Sequence, residues 1–151
     1  MDLKQKLYEE CKLHVDKREE TVTTIINSHQ KALTSETKSS AGDKHETGRA
    51  MLQLEMEKAG QQLQSITLMK ETLAKVDISK HNGVARLGSL ITTTKAVYFL
   101  SISAGLLKIE NTKKTYFAIS VSSPIGKLFL GKKIGEVISF NNNIMEVLAI
   151  D

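Results

Sequence analysis

An α+β chain is predicted, with a long antiparallel helical hairpin first and a small antiparallel sheet domain carrying one short helix second. Three observations carry this. A helical period runs unbroken by Gly or Pro from Leu3 to Ser40. It resumes after a turn at residues 39–47 and continues to Val76. Beyond Ile78 it gives way to short β-branched and aromatic runs separated by turn residues.

In the first helix Leu3, Leu7, Cys11, His14/Val15, Val22, Ile25, His29 and Ala32/Leu33 recur in steps of three and four, while Glu9, Glu10, Lys12, Lys17, Arg18, Glu19 and Glu20 fill the other faces. After the turn the seam returns as Leu52, Met56, Ala59, Leu63, Ile66, Met69, Leu73 and Val76, close to a heptad. Two helices of about 30 residues joined by a short turn pack antiparallel, giving a coiled-coil hairpin roughly 45 Å long. The boundary with the second domain is expected near residues 78–82, so that residues 1–78 form the hairpin and 79–151 the sheet domain.

His81-Asn82-Gly83 signals a turn. Strands are expected within 84–88, 89–93, 95–102 and 115–119. Ser123 can cap a short helix with Pro124 at its first position and Gly131 at its end. Strands at 137–140 and 144–150 close the chain, joined at Asn141-Asn142-Asn143, where asparagines accept positive φ.

Composition narrows the function classes. The 151 residues are 40% hydrophobic and 25% charged, as in a folded soluble protein. A single Cys11 excludes an intramolecular disulfide framework and fits a reducing compartment. No stretch approaches the length of a membrane span, and the first residues have no apolar leader, so a cytoplasmic location without membrane contact is expected. The net charge of +4 is uneven: residues 1–78 hold 12 Lys/Arg against 13 Asp/Glu, and residues 79–151 hold 9 against 4. A basic second half with Lys113-Lys114, Lys127 and Lys132-Lys133 suits an acidic protein surface or a nucleic-acid backbone, and equally an ordinary solubilising surface.

Several motifs fail on inspection. Gly126 to Lys133 nearly spells a phosphate-binding loop, but Lys133 stands where a Mg²⁺-binding hydroxyl is needed. His45-Glu46 lacks the second His of a zinc protease, Arg49 standing in its place. At the turn, Asp43 and Glu46 three residues apart read two ways. They form a carboxylate capping box for the second helix. They also suit a hard divalent cation such as Mg²⁺, although two protein oxygens cannot fill an octahedron and a partner would have to complete the site.

The stretch Ile119-Ser120-Val121-Ser122-Ser123-Pro124-Ile125-Gly126-Lys127-Leu128-Phe129-Leu130-Gly131-Lys132-Lys133-Ile134-Gly135-Glu136 resembles the signature of the bacterial Gre (GreA/GreB) transcript-cleavage factors. There an Ile-Ser-x-x-Ser-Pro-(Leu/Ile)-Gly-x-x-Leu-Leu-Gly-Lys pattern lies in an FKBP-like C-terminal domain. Gly42-Asp43-Lys44-His45-Glu46 resembles the start of that family's hairpin-tip motif. The resemblance implies a transcription elongation factor, not itself an enzyme, that binds RNA polymerase in its secondary channel as a monomer. It implies that Asp43 and Glu46 are the catalytic and metal-binding pair, sharing Mg²⁺ with the polymerase and stimulating cleavage of backtracked RNA. The nascent RNA 3′ end and DNA would be met indirectly. Polymerase docking is implied for Ser123, Pro124, Gly126, Lys127, Gly131 and Lys132.

The tip departs from the pattern. Thr47-Gly48-Arg49-Ala50 stands where the family has Asn-Ala-Glu-Tyr. A channel-binding regulator that stimulates no cleavage is therefore a second expectation. Prolyl isomerisation, suggested only by the FKBP-like domain, would need an aromatic pocket.

Overall fold

The computed structural model describes residues 2–38, 43–79 and 83–151, with the backbone alone for 36–38 and 43–46. The chain runs α1 (Leu3–Lys38), α2 (Asp43–Lys75), β1 (Leu90–Thr93), β2 (Val97–Ser101), β3 (Gly105–Leu107), β4 (Tyr116–Ser120), α3 (Pro124–Phe129), β5 (Val137–Phe140) and β6 (Asn143–Ile150). The expected α+β class is the one observed. Two compact units emerge, Val15–Met69 in one and Met1–His14 with Lys70–Asp151 in the other. Both long helices therefore contribute to both units.

In the first unit α1 and α2 bury Val15, Val22, Ala59 and Ile66. Each pair is seven residues apart in its own helix, the spacing that returns a side chain to one seam. Ile25, expected in the seam, is instead 37% exposed. Its neighbour Ile26 is half-buried in its place. Two adjacent isoleucines gave the periodicity two solutions, and helix rotation took the second.

The other unit holds a six-stranded sheet in the order β3-β4-β2-β1-β6-β5. All neighbours are antiparallel except β2 and β4, which pair in parallel from Val97↔Tyr116 to Ser101↔Ser120. A parallel neighbour needs a crossover. The chain provides it by running out to β3 at the sheet edge before returning as β4. The expectation of a strand within 84–88 is not met: these residues form bends and a turn, with Gly88 at φ 92°. Ala85 is nevertheless anchored, donating to Lys132 O and accepting from Gly131 N–H, each at 2.9 Å. The β5–β6 hairpin turns on Asn141 and Asn142, at φ 49° and 66°.

Each sheet face has its own cover. On one, Phe129 of α3 packs with Ile91, Tyr98, Leu100, Met145 and Val147. Its ring centroid lies 4.9 Å from that of Tyr98. On the other, Cys11 of α1 meets Ser101 of β2 with Sγ and Oγ 3.6 Å apart, both residues fully buried. Tyr8 Oη donates to Leu73 O at 3.1 Å, joining the two helices where they meet the sheet.

Candidate functional site

The expected site has two parts. At the tip, α2 begins at Asp43, which places Asp43 and Glu46 in its first helical turn. Their side chains lie outside the described residues. So do Ser39 to Gly42, and with them any capping contact from that turn. Immediately after them Thr47 and Arg49 are exposed and Gly48 is half-buried. Among the described residues no group of three or more His, Cys, Asp or Glu side chains converges to hold a metal ion. The donor set available at the tip is two carboxylates in one helical turn. Hard oxygen donors of this kind fit Mg²⁺, and their number fits a shared site rather than a closed one.

The second part is built around α3. Ser123 is its N-cap, in extended backbone at φ −71° and ψ 158°. Its Oγ accepts from Gly126 N–H at 3.0 Å and donates to Ser120 O at 2.6 Å. Pro124 supplies a pre-set φ where a helix has no use for the missing N–H. Leu130 N–H donates to Gly126 O at 3.1 Å, and Gly131 leaves the helix at φ 81°. Thus Ser123, Pro124, Gly126 and Gly131, all expected as docking residues, have local structural work that accounts for their identity. Lys127 is exposed and Lys132 half-buried.

The same segment presents more than lysines. Leu128, Leu130, Ile134 and Val137 are exposed, at 38%, 40%, 60% and 58%. Lys127, Lys132 and Lys133 interleave with them. The one carboxylate in this segment, Glu136, is exposed and tied to the local backbone: its Oε2 accepts from Lys133 N–H at 2.6 Å. Along the chain this segment thus interleaves exposed apolar side chains with lysines, residue types that suit a protein-docking surface. Sequence reading found the lysines but passed over Val137, read only as part of a strand, and Ile134, read only as part of the Gre-like signature.

A polar recess, about 280 Å³ in volume, lies where α1 meets the β3–β4 loop and is lined by Lys6, Glu9, Glu10, Lys108 and Glu110 among others. It is charged and open. Of the aromatics an isomerase pocket would draw on, Tyr98, Phe99, Tyr116 and Phe129 are buried in the core, and Phe117 and Phe140 are half-buried.

No helix of the described residues is long and apolar enough to cross a membrane. No protein-family model and no curated protein matches the chain. Three solved structures are similar to it along nearly its whole length. Gfh1 of Thermus aquaticus is 20% identical with a TM-score of 0.35, covering 94% of each chain. A structure described as the transcription factor Gfh1 is 18% identical with a TM-score of 0.34, covering 95% of this chain and 92% of that one. GreA factor homolog 1 (Gfh1) of Thermus thermophilus is 20% identical with a TM-score of 0.35, covering 95% and 94%.

Proposed function

We propose that this chain is an accessory transcription factor of RNA polymerase. The α3–β5 strip docks on the polymerase, and the hairpin delivers Asp43 and Glu46 to the catalytic centre through the secondary channel. The observation that carries this reading is the pairing of the Gre-like Ser123-Pro124-Ile125-Gly126 helix start, in which Ser123, Pro124 and Gly126 each fit a backbone role, with two acids in the first turn of a 33-residue helix. Asp43 would contribute a carboxylate to the metal, and Glu46 would orient the attacking water. Mg²⁺ held there would neutralise charge developing on the scissile phosphate. The nucleolytic activity stays the polymerase's own.

The test uses polymerase stalled in a backtracked complex with end-labelled RNA in Mg²⁺. Addition of the protein accelerates release of 3′ fragments, and Asp43→Ala or Glu46→Ala abolishes the acceleration while binding persists. Acceleration that survives both substitutions overturns the mechanism.

One observation favours a second reading, a regulator that occupies the channel without stimulating cleavage. Arg49 is exposed three residues beyond Glu46 on the same helix, the spacing at which a guanidinium pairs with a carboxylate. A cation there competes with the metal. In this case the protein displaces other channel binders, fragment release stays at its basal rate, and Arg49→Glu raises it.

A further inference from the structure

Lys4 is an anomaly in the fold. It belongs to the first turn of α1, yet the residue is only 3% exposed. Its Nζ donates to the backbone oxygen of Ser79 at 2.6 Å and to that of Asp151 at 3.2 Å. Those acceptors come from two different places in the chain. Ser79 lies just past the exit of α2, where its own N–H donates to Asp77 Oδ1 at 2.9 Å. Asp151 follows β6 and exchanges both backbone hydrogen bonds with Leu90 at the start of β1, at 3.0 and 2.9 Å.

Burying an ammonium costs free energy that an apolar side chain of the same length would not. The charges around it, Asp2, Asp77 and Asp151 against Arg86, only partly offset this, and burial leaves the amine easier to deprotonate than a free lysine. What the position gains is three N–H donors on one atom, which can reach carbonyls from separate segments at once.

We propose that Lys4 is a three-way clasp, a conformational device that fastens the α2 exit and the β6 end onto the first turn of α1, so that the helix base and the sheet move as one piece. It requires the hydrogens on Nζ, not the charge. The inference rests on this geometry alone and is independent of any polymerase reading.

The experiment is amide hydrogen exchange on the full chain, wild type against Lys4→Met. Exchange at Ser79, Leu90 and Asp151 is expected to accelerate at least tenfold, with Phe99 in the sheet centre and Ile66 in the hairpin unchanged. Uniform acceleration everywhere would mean that Lys4 is merely a stability contact, and no local change would mean that it fastens nothing; either overturns the clasp. Should Lys4→Met fail to fold, the wild type still decides. NMR of the Lys4 side-chain nitrogen is expected to show slow hydrogen exchange and a through-hydrogen-bond coupling to the Ser79 carbonyl carbon. A rapidly averaged amine without that coupling rejects the proposal.

Discussion

Gly126 approaches Ser120 so closely that a Cβ on the glycine would stand 1.9 Å from the Ser120 carbonyl oxygen. That oxygen already receives the Ser123 hydroxyl. The start of α3 is thus pressed against the end of β4 with no side chain between them. Gly126→Ala cannot be absorbed by a rotamer change, because the obstacle is backbone. We expect a loss of about 3 kcal/mol in chemical denaturation. Ser123→Ala, which removes the cap and leaves the space alone, should cost about 1 kcal/mol.

The hairpin offers a paired comparison. Ile66 is fully buried in the α1–α2 seam, while Leu68, two residues on, is 58% exposed. Ile66→Ala should destabilise by about 2–5 kcal/mol and Leu68→Ala by less than about 0.5 kcal/mol. Equal effects in thermal or urea unfolding would contradict the seam.

Cys11 should behave as an inert core thiol. Burial pushes its pKa up from 9.0 to about 11, the bond to Ser101 opposing only part of this. Alkylating reagents at pH 8 should therefore label it only after unfolding. The sign for stability follows from linkage. Below pH 9 the thiol is protonated whether folded or not and contributes no pH dependence. Between pH 9 and 11 the unfolded chain loses its proton first, so stability falls as pH rises, by roughly 2–3 kcal/mol relative to Cys11→Ala.

Lys4 should act in the opposite direction. Its folded pKa lies below 10.5, because burial penalises the charged form. As pH rises through that value toward 10.5 the folded state gives up its proton first, and stability increases relative to Lys4→Met. Unfolding curves for the two proteins across the alkaline range should diverge in that sense. Convergence would mean that the amine is solvated.

Lys4, set beside Cys11, also marks where sequence reading stops. Leu7, Cys11, Val15 and Val22 were legible because a 3.6-residue period repeated over many turns leaves one consistent face. A lysine in a run of charges reads as surface, and nothing local announces that Ser79 and Asp151 will converge on it. The α3 segment was legible for the complementary reason: Ser123, Pro124 and Gly131 each suit only one or two backbone conformations, so their order spells a start and a stop. The strand expected at 84–88 failed because apolar composition there reflects burial of Ala85, not pairing in a ladder. Strand β3 escaped notice because three residues beginning with Gly105 carry no period at all. At the tip Asp43 and Glu46 were found as a pair, and their spacing fits both a helix start and a metal.

The contact from Lys4 to Asp151 spans nearly the entire chain, and it bears on how the protein is made. Contacts within Val15–Met69 are complete once α2 has emerged from the ribosome, so the hairpin can zip early. The base cannot. Among the six strands of this sheet β6 comes last in chain order, yet it sits between β1 and β5, and until it inserts, β1 has an open edge and Lys4 lacks one of its acceptors. Closure of the base therefore waits for the sixth strand, and a chain arrested before β6 would display a finished hairpin beside an unfinished, aggregation-prone sheet.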